Sequence, residues 1–378
     1  MSPPFEIKRS AFQLPHKRRR PIAVTWKNAT IVYGGFAPEE PRIDELSVLF
    51  YHKAGKWTKK NTFGDFPKYS QLSGAQVVND RMFVFDTVRG EIVVYSLDLF
   101  TWTWEALTPS GTLPSGRASI LRSWVYDKMI YLFGVGYTRI QDANQFFCYN
   151  TFTNTWEWPT SRGDIPPPKF EPPSVVISGG TAFLYGGIGG GTQNDLYTLD
   201  MVGMEWRKVH GNLSIGEGPG KIRFHTFTRI SKSSALLLGP STFGNELIGK
   251  FGKEVVNNSW LLNLDRAKKL MDPSSIWTNL PNHPSKCCHA AVLQPLSKTL
   301  WVIGGHDGNS RYFDCLNKGS YTTEVLKVKF PTLRPLKDLA IEHVAKSFSA
   351  NDPRLEPGQL PKKFIDEIEA YRSENGNE

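Results

Sequence analysis

Six times along this chain a short apolar run ends on a glycine pair or its remnant, and that period restricts the fold more than any other feature. The runs are "TIVYGG", "RMFVFDT", "MIYLFGVG", "TAFLYGG", "SALLLGP" and "TLWVIGG", with the second position of the pair at residues 35, 87, 135, 187, 240 and 305. The steps between neighbours are therefore 52, 48, 52, 53 and 65 residues, a period that belongs to repeat architectures. A tryptophan closes most units: Trp57, Trp104, Trp156, Trp206 and Trp277 each follow a second apolar run. A proline lies ten residues beyond the first three, at Pro67, Pro114 and Pro166, and Phe5 and Pro15 repeat that spacing at the N-terminus. "FEIKRSAFQLP" lines up with "WEALTPSGTLP" without a gap, whereas the last unit, "TEVLKVKF", runs out before its Trp strand. The N-terminal segment is expected to supply that missing outer strand, which closes the repeats into a ring and removes exposed sheet edges.

Composition agrees with many short strands. Thirty-three Gly and 26 Pro punctuate runs rich in aromatic residues, the pattern of strands separated by turns. The four cysteines, Cys148, Cys287, Cys288 and Cys315, are too few for a disulfide framework, so a reducing compartment is expected, cytoplasmic or nuclear. The N-terminus "MSPPFEIKRSAF" has no apolar core of a signal peptide, and no window reaches the length of a membrane span, so no membrane partner is expected. The net charge of +9 is densest at "HKRRRP", which suits a solvated loop, a nuclear address or a nucleic-acid contact. No nucleic-acid-binding module accompanies it, and nucleic acid is not expected as a partner.

Enzyme chemistry lacks a constellation. Eight histidines are scattered, and no HExxH, CxxC or GxSxG occurs. Cys287, Cys288 and His289 are adjacent, but neighbours on a strand point to opposite faces, which suits an inner strand better than a metal. No catalytic residue, metal or cofactor is expected.

Over about residues 5 to 330 the glycine pairs and tryptophans resemble kelch-repeat β-propellers. The resemblance implies an all-β, six-bladed kelch β-propeller over 1–330, followed by a small α-helical tail over 331–378. Each blade of such a ring offers two loops to one end. Those loops carry Lys17, Arg18, Arg19 and Arg20, Arg117, Lys169, Lys221, Arg223 and Lys286, with Phe36 and Tyr137 after glycine-pair positions. Guanidinium groups converging at a channel mouth suit a carboxylate, because one guanidinium grips two oxygens at once.

The tail has a different pattern. In "PLKDLAIEHVAKS", Leu336, Leu339, Ala340 and Val344 recur at helical spacing on one side. That stretch resembles the BC box that binds Elongin C, with Ala340 where the motif commonly has Cys. Downstream, "LPKKFIDEI" places Leu360, Pro361, Phe364 and Ile368 in an arrangement similar to the cullin box that selects Cullin-2; the Cullin-5 version favours a proline at the position of Lys363. Together with "SWVYDKMIYLFGVGY" and "KIRFHTF", the chain resembles the kelch-domain receptors of Cullin-2 ubiquitin ligases that read C-terminal degrons. The resemblance implies Elongin C with Elongin B, Cullin-2 and client C-termini as partners. It also implies a pocket in which arginines and a serine hold the client's terminal carboxylate, with Arg223 and Ser241 at the matching positions. A second arginine upstream of Arg223 is missing, for "GEGPG" stands there and Lys221 is the nearby cation, which leaves a diglycine preference open. Three other readings remain: a kelch interaction scaffold whose tail packs on its own ring, a kelch-fold oxidase, and a nuclear nucleic-acid binder.

Overall fold

The computed structural model describes residues 6–11, 13–35, 46–50, 57–67, 74–88, 91–112, 118–136, 145–167, 169, 174–187, 193–211, 213–214, 217–222, 225–239, 241–242, 259–280, 286–295, 297–307 and 322–329. Two compact units are present, Ile7–Val328 and a second made of Met1–Glu6 with Lys329–Glu378. Of the second, only Glu6 and Lys329 are among the described residues.

The first unit is a six-bladed propeller. Blade one runs from its inner to its outer strand as Ile22–Trp26, Ala29–Tyr33, Leu46–Phe50 and Trp57–Lys60. Blade two is Gly74–Val78, Arg81–Val88, Glu91–Asp98 and Thr103–Leu107, and blade three is Ala118–Tyr126, Met129–Gly136, Gln145–Asn150 and Thr155–Glu157. Blade four is Ser174–Ser178, Thr181–Tyr185, Leu196–Asp200 and Glu205–His210; blade five is Thr226–Arg229, Ser234–Leu238, Ser259–Asn263 and Trp277–Leu280. Blade six takes Ala290–Gln294, Thr299–Ile303 and Val325–Lys329 from one end of the chain and Glu6–Arg9 from the other. Ser10 N–H donates to Val325 O at 2.8 Å and Leu14 N–H to Thr323 O at 3.0 Å, so the segment after Glu6–Arg9 continues along the last strand. Each inner strand neighbours the next, and Ala290–Gln294 neighbours Ile22–Trp26, which closes the ring. Among the described residues no helix is long and apolar enough to cross a membrane.

The recurring residues of the sequence meet at one junction between blades. The aromatic at the fifth position of a blade's second strand packs on the tryptophan of the next blade: Tyr33 on Trp104, Phe85 on Trp156, Phe133 on Trp206 and Tyr185 on Trp277, with centroids 5.2 to 6.0 Å apart. Where the aromatic is tyrosine, its hydroxyl donates to the proline loop entering the next blade, Tyr33 to Pro67 O at 3.1 Å and Tyr185 to Pro219 O. The apolar core is accordingly divided into interblade clusters, each drawing its residues from two adjacent blades. Sheets stacked face to face in this way bury both faces, which is why the middle strands read as continuous apolar runs.

The glycine pairs have two physical duties. Gly34, Gly35, Gly186, Gly187, Gly304 and Gly305 all have positive φ, a conformation that side chains disfavour. A Cβ on Gly186 would also lie 2.8 Å from Ile222 O, and one on Gly304 2.7 Å from Arg18 O, where the next blade begins. Gly187 N–H donates to Ile222 O and Gly305 N–H to Arg18 O, so each pair both turns the chain and clips the following blade. Blades two and three have "FDT" and "FGVG" instead, and there the second strand continues for eight residues rather than five.

A third recurring position was weaker in sequence. The segments entering blades two, three and four cross the outer edge of the blade they enter, with Phe63–Gly64 parallel to Thr103–Leu107 and Arg162–Gly163 parallel to Glu205–His210. Ser110 makes the equivalent bridge to Thr155. Gly64, Gly111 and Gly163 all have positive φ and press against the backbone of Trp104, Trp156 and Trp206. Gly163→Ala is expected to cost about 2 kcal/mol or more, from the left-handed strain and the clash with Trp206 O together. Chemical denaturation checks this; a midpoint equal to that of the parent would contradict it.

Candidate functional site

Antiparallel order puts the second-to-third connections of every blade, and the loops that lead into the next blade, at one end of the ring, the glycine-pair end. Two blades raise short ribbons there. On blade five Lys221–Ile222 pairs with Ser241–Thr242, and on blade six Lys286–Cys287 pairs with His306–Asp307. The first ribbon sets Ser241 opposite Ile222, with Lys221 half-buried opposite Thr242. Arg223, Arg117, Phe36 and Tyr137 lie outside the described residues, as does the side chain of Ser241; so do the tail positions Leu336, Leu339, Ala340, Val344, Leu360, Pro361, Phe364 and Ile368.

Three of the loop cations, Arg18, Lys169 and Lys286, are part of the blades. Arg18 is fully buried and donates from Nη1 to Gly34 O at 3.3 Å. Lys169, 1 % exposed, donates to Gly186 O at 2.8 Å and lies 3.9 Å from Asp195 Oδ2. Lys286, 2 % exposed, makes an ion pair with Glu324 at 2.5 Å. Asp195 and Glu324 each immediately precede the third strand of their blade, and Lys169 and Lys286 lie in the loop entering the first. The shared reason is that a glycine pair ends the second strand with carbonyls turned inward, and a cation or ion pair satisfies the polar groups that turn leaves buried. Burial pushes the Lys169 ammonium down to about 8, with Asp195 opposing the shift. Sequence alone did not separate these structural cations from surface ones, because both stand one to four residues after a proline.

Three histidines join neighbouring blades at this end. His225 Nε2 lies 3.1 Å from Tyr185 O, His289 Nε2 lies 2.7 Å from Thr226 Oγ1, and Trp277 Nε1 donates to His210 Nε2 at 2.8 Å. Accepting from Trp277 fixes His210 as the tautomer protonated on Nδ1. Burial pushes His225 down to about 3, helped by the nearby charge of Arg122, and pushes His210 down to about 4. The unfolded imidazoles take up protons near pH 6.5, before the native ones, so the native state is favoured fully above that pH and loses stability as pH falls toward 4. Each residue is expected to cost about 3 kcal/mol by pH 4. Thermal melts from pH 7 to 4.5 check this: the melting temperature drops with acid, and His225→Gln flattens the drop, whereas an unchanged slope would contradict it.

Among the described residues no group of His, Cys, Asp and Glu could hold a metal ion. Cys287 ends the short strand paired with His306–Asp307, whereas Cys288 is buried with φ of 54° and its carbonyl accepts from Arg20 N–H, so Cys288 and His289 form the bend that enters blade six rather than the expected inner strand, which begins at Ala290.

Residues 22–239, more than half of the 378, match the family model described as the KLHDC2/KLHL20/DRC7 Kelch-repeats domain. The chain belongs to this kelch-repeat family. Its kelch relatives include mouse Kelch domain-containing protein 1, 25% identical over 342 residues that cover 80% of this chain and 79% of the relative. Bovine Kelch domain-containing protein 2 is 26% identical over 265 residues, 60% of this chain and 64% of that protein. Human Host cell factor 1 is 27% identical over 327 residues, which are 78% of this chain but 15% of that protein. Of solved structures, one titled "Structure of YjhT" superposes with a TM-score of 0.58 at 14% identity, covering 83% of this chain and 95% of that one, a likeness of fold. As a kelch propeller the chain presents a rigid ring whose loops converge at one end, a framework suited to binding other proteins.

Proposed function

We propose that this kelch propeller is the substrate-recognition subunit of a Cullin-2 RING ubiquitin ligase. The propeller holds client proteins by their C-termini, and the tail docks on Elongin C through Leu336, Leu339, Ala340 and Val344, and on Cullin-2 through Leu360, Pro361, Phe364 and Ile368. The chain performs no chemistry itself; ubiquitin is transferred by an enzyme recruited elsewhere on the complex. The observation that carries the reading is the order of the two tail motifs, one BC-box-like and one cullin-box-like, after a kelch ring. The blade-five ribbon supports the client site, since Ser241 stands opposite Ile222 and Arg223 is the next residue of the chain. Lys221, Arg117, Tyr137 and Phe36 complete the proposed client contacts.

A charged hydrogen bond from Arg223 to a carboxylate is worth about 1.5 to 3 kcal/mol. Peptides selected from a library of random C-termini are therefore expected to lose roughly tenfold or more in affinity with Arg223→Ala, and similarly when their C-terminus is amidated. Elongin C binding by the same variant stays at the parent level. Equal loss of both activities, or indifference to amidation, would contradict the assignment.

The burial of Arg18, Lys169 and Lys286 favours a second reading, because it withdraws three of the cations that suited a carboxylate. In that reading the chain is a kelch protein–protein interaction scaffold without ligase function. Co-purification with Elongin B and Elongin C separates the two.

A further inference from the structure

Blades two, three and four do not leave their outer strands open. A short extended piece of the chain crosses each one in parallel: Phe63–Gly64 on Thr103–Leu107, Ser110 against Thr155, and Arg162–Gly163 on Glu205–His210. The crossing pairs with the groups of the blade tryptophan that point out of the sheet. Trp156 N–H donates to Ser110 O at 2.9 Å, and Trp206 O accepts from Asp164 N–H at 2.9 Å. Side chains are excluded at the contact, because Gly64, Gly111 and Gly163 have φ between 81° and 93° and a Cβ on any of them would run into the carbonyl of Trp104, Trp156 or Trp206. Blade five caps its tryptophan another way, since Trp277 N–H donates to Pro273 O of the inserted helix.

Blade one has neither device among the described residues. Trp57 faces Leu49 in the register in which Trp156 faces Tyr149, so its N–H and C=O also point out of the sheet. Among the described residues no backbone bond reaches that side of Trp57. Trp57 is 8 % exposed, against 2 %, 3 % and 1 % for Trp104, Trp156 and Trp206, and Thr58 and Lys59 beside it are exposed. The segment entering blade one follows the last strand of blade six instead, through Ser10 N–H to Val325 O and Leu14 N–H to Thr323 O. The sequence holds the reason. Gly64, Gly111 and Gly163 stand seven residues after Trp57, Trp104 and Trp156, whereas Phe12 stands seven after Phe5.

We infer that the outer edge of blade one is a strand-addition site for an extended segment of a partner protein that carries Gly-Asp at the crossing. Open edges add strands, and the chain's own crossings define what fits this one. The added strand runs parallel to Trp57–Lys60 with its glycine against Trp57 O. Aspartate comes next because it follows both Gly64 and Gly163, and Asp164 Oδ2 accepts from Lys208 N–H at 3.1 Å, two residues beyond Trp206. Lys59 holds the position of Lys208 in blade one. The site lies on the outer rim, apart from the client contacts at the glycine-pair end, and does not rest on the ligase reading.

The test uses the full chain and a labelled peptide with the sequence of the blade-two crossing, Asn61 to Pro67, acetylated and amidated so that it offers no terminal carboxylate. Fluorescence anisotropy is expected to show saturable binding, weaker by roughly tenfold or more for a counterpart peptide with Gly64→Val. Lys59→Pro in the full chain removes an N–H from the outer side of the edge and is expected to weaken the glycine peptide about tenfold at an unchanged melting temperature. Amide exchange read by NMR needs no variant: Trp57 N–H is expected to exchange roughly tenfold or more faster than Trp156 N–H in the free chain, and to slow to match it with peptide bound. Equal binding of the two peptides, or a Trp57 amide already as slow as that of Trp156 or unmoved by peptide, would overturn the proposal. So would loss of the peptide with Arg223→Ala, which would place it in the client site, or a homodimer in light scattering that Lys59→Pro dissociates, which would make a second copy of this chain the occupant.

Discussion

A chain that begins at residue 16 is expected to melt roughly 10 °C or more below the full-length protein and to aggregate on heating. The outer strand of blade six is Glu6–Arg9, and Val325–Lys329 beside it becomes an open edge when that strand is removed. The backbone bonds from Ser10 to Val325 and from Leu14 to Thr323 go with it. So does Leu14, 3 % exposed and packed in the core between blades six and one with Trp57, Trp301 and Val325. Arg9 is lost from Glu324, at 2.7 Å, while Glu324 remains as the partner of buried Lys286. Loss of a buried leucine alone costs about 2 to 5 kcal/mol, the lost backbone bonds add roughly 1 kcal/mol each, and a chain larger than about 250 residues shifts its melting temperature by about 1 to 2 °C per kcal/mol. The exposed edge adds a kinetic consequence, because unpaired strand edges recruit other chains. Calorimetry with light scattering on both chains measures the effect; equal transitions would mean that blade six is complete without its N-terminal strand.

How much of this was legible before the structure depended on whether a residue type has one use or several. A tryptophan at fixed spacing in a β-repeat has one main use, and Trp104, Trp156, Trp206 and Trp277 all stand against the preceding blade. The glycine pairs were equally plain, since positive φ and close approach of the next blade leave few alternatives to glycine. The long step of 65 residues before the last unit has its local cause in blade five, where Leu264–Lys268 and Pro273–Ile276 are helices inserted between the third and fourth strands. Asn263 starts the first of them by accepting from Arg266 N–H.

Cations were the opposite case. A lysine in a polar loop serves as well in water as against a buried carbonyl, and nothing in "PPPKFEPP" or "NHPSKCC" distinguishes the two. Only the placement of Gly186 O, Asp195 and Glu324 does so. The ribbon that sets Ser241 opposite Ile222 is legible only in three dimensions, because 18 residues lie between them in the chain.

The ligase reading rests on the tail, where a single substitution has an all-or-none expectation. Leu336, Leu339, Ala340 and Val344 share one side of a helical pattern, and an aspartate at position 336 would bring an unpaired carboxylate into an apolar contact. Burying a charge without a partner costs several kcal/mol, enough to abolish a micromolar to nanomolar association at working concentrations. The substitution leaves the ring's glycine pairs, tryptophans and closing strand untouched, so the thermal transition of the propeller is expected to stay in place.

Size-exclusion chromatography of the full chain co-expressed with Elongin B and Elongin C is therefore the measurement to make. The expected result is one co-eluting complex, lost with Leu336→Asp while the variant propeller still elutes as a folded monomer of this ring. A folded parent chain that elutes apart from Elongin B and Elongin C would contradict the receptor reading and leave the kelch scaffold in its place.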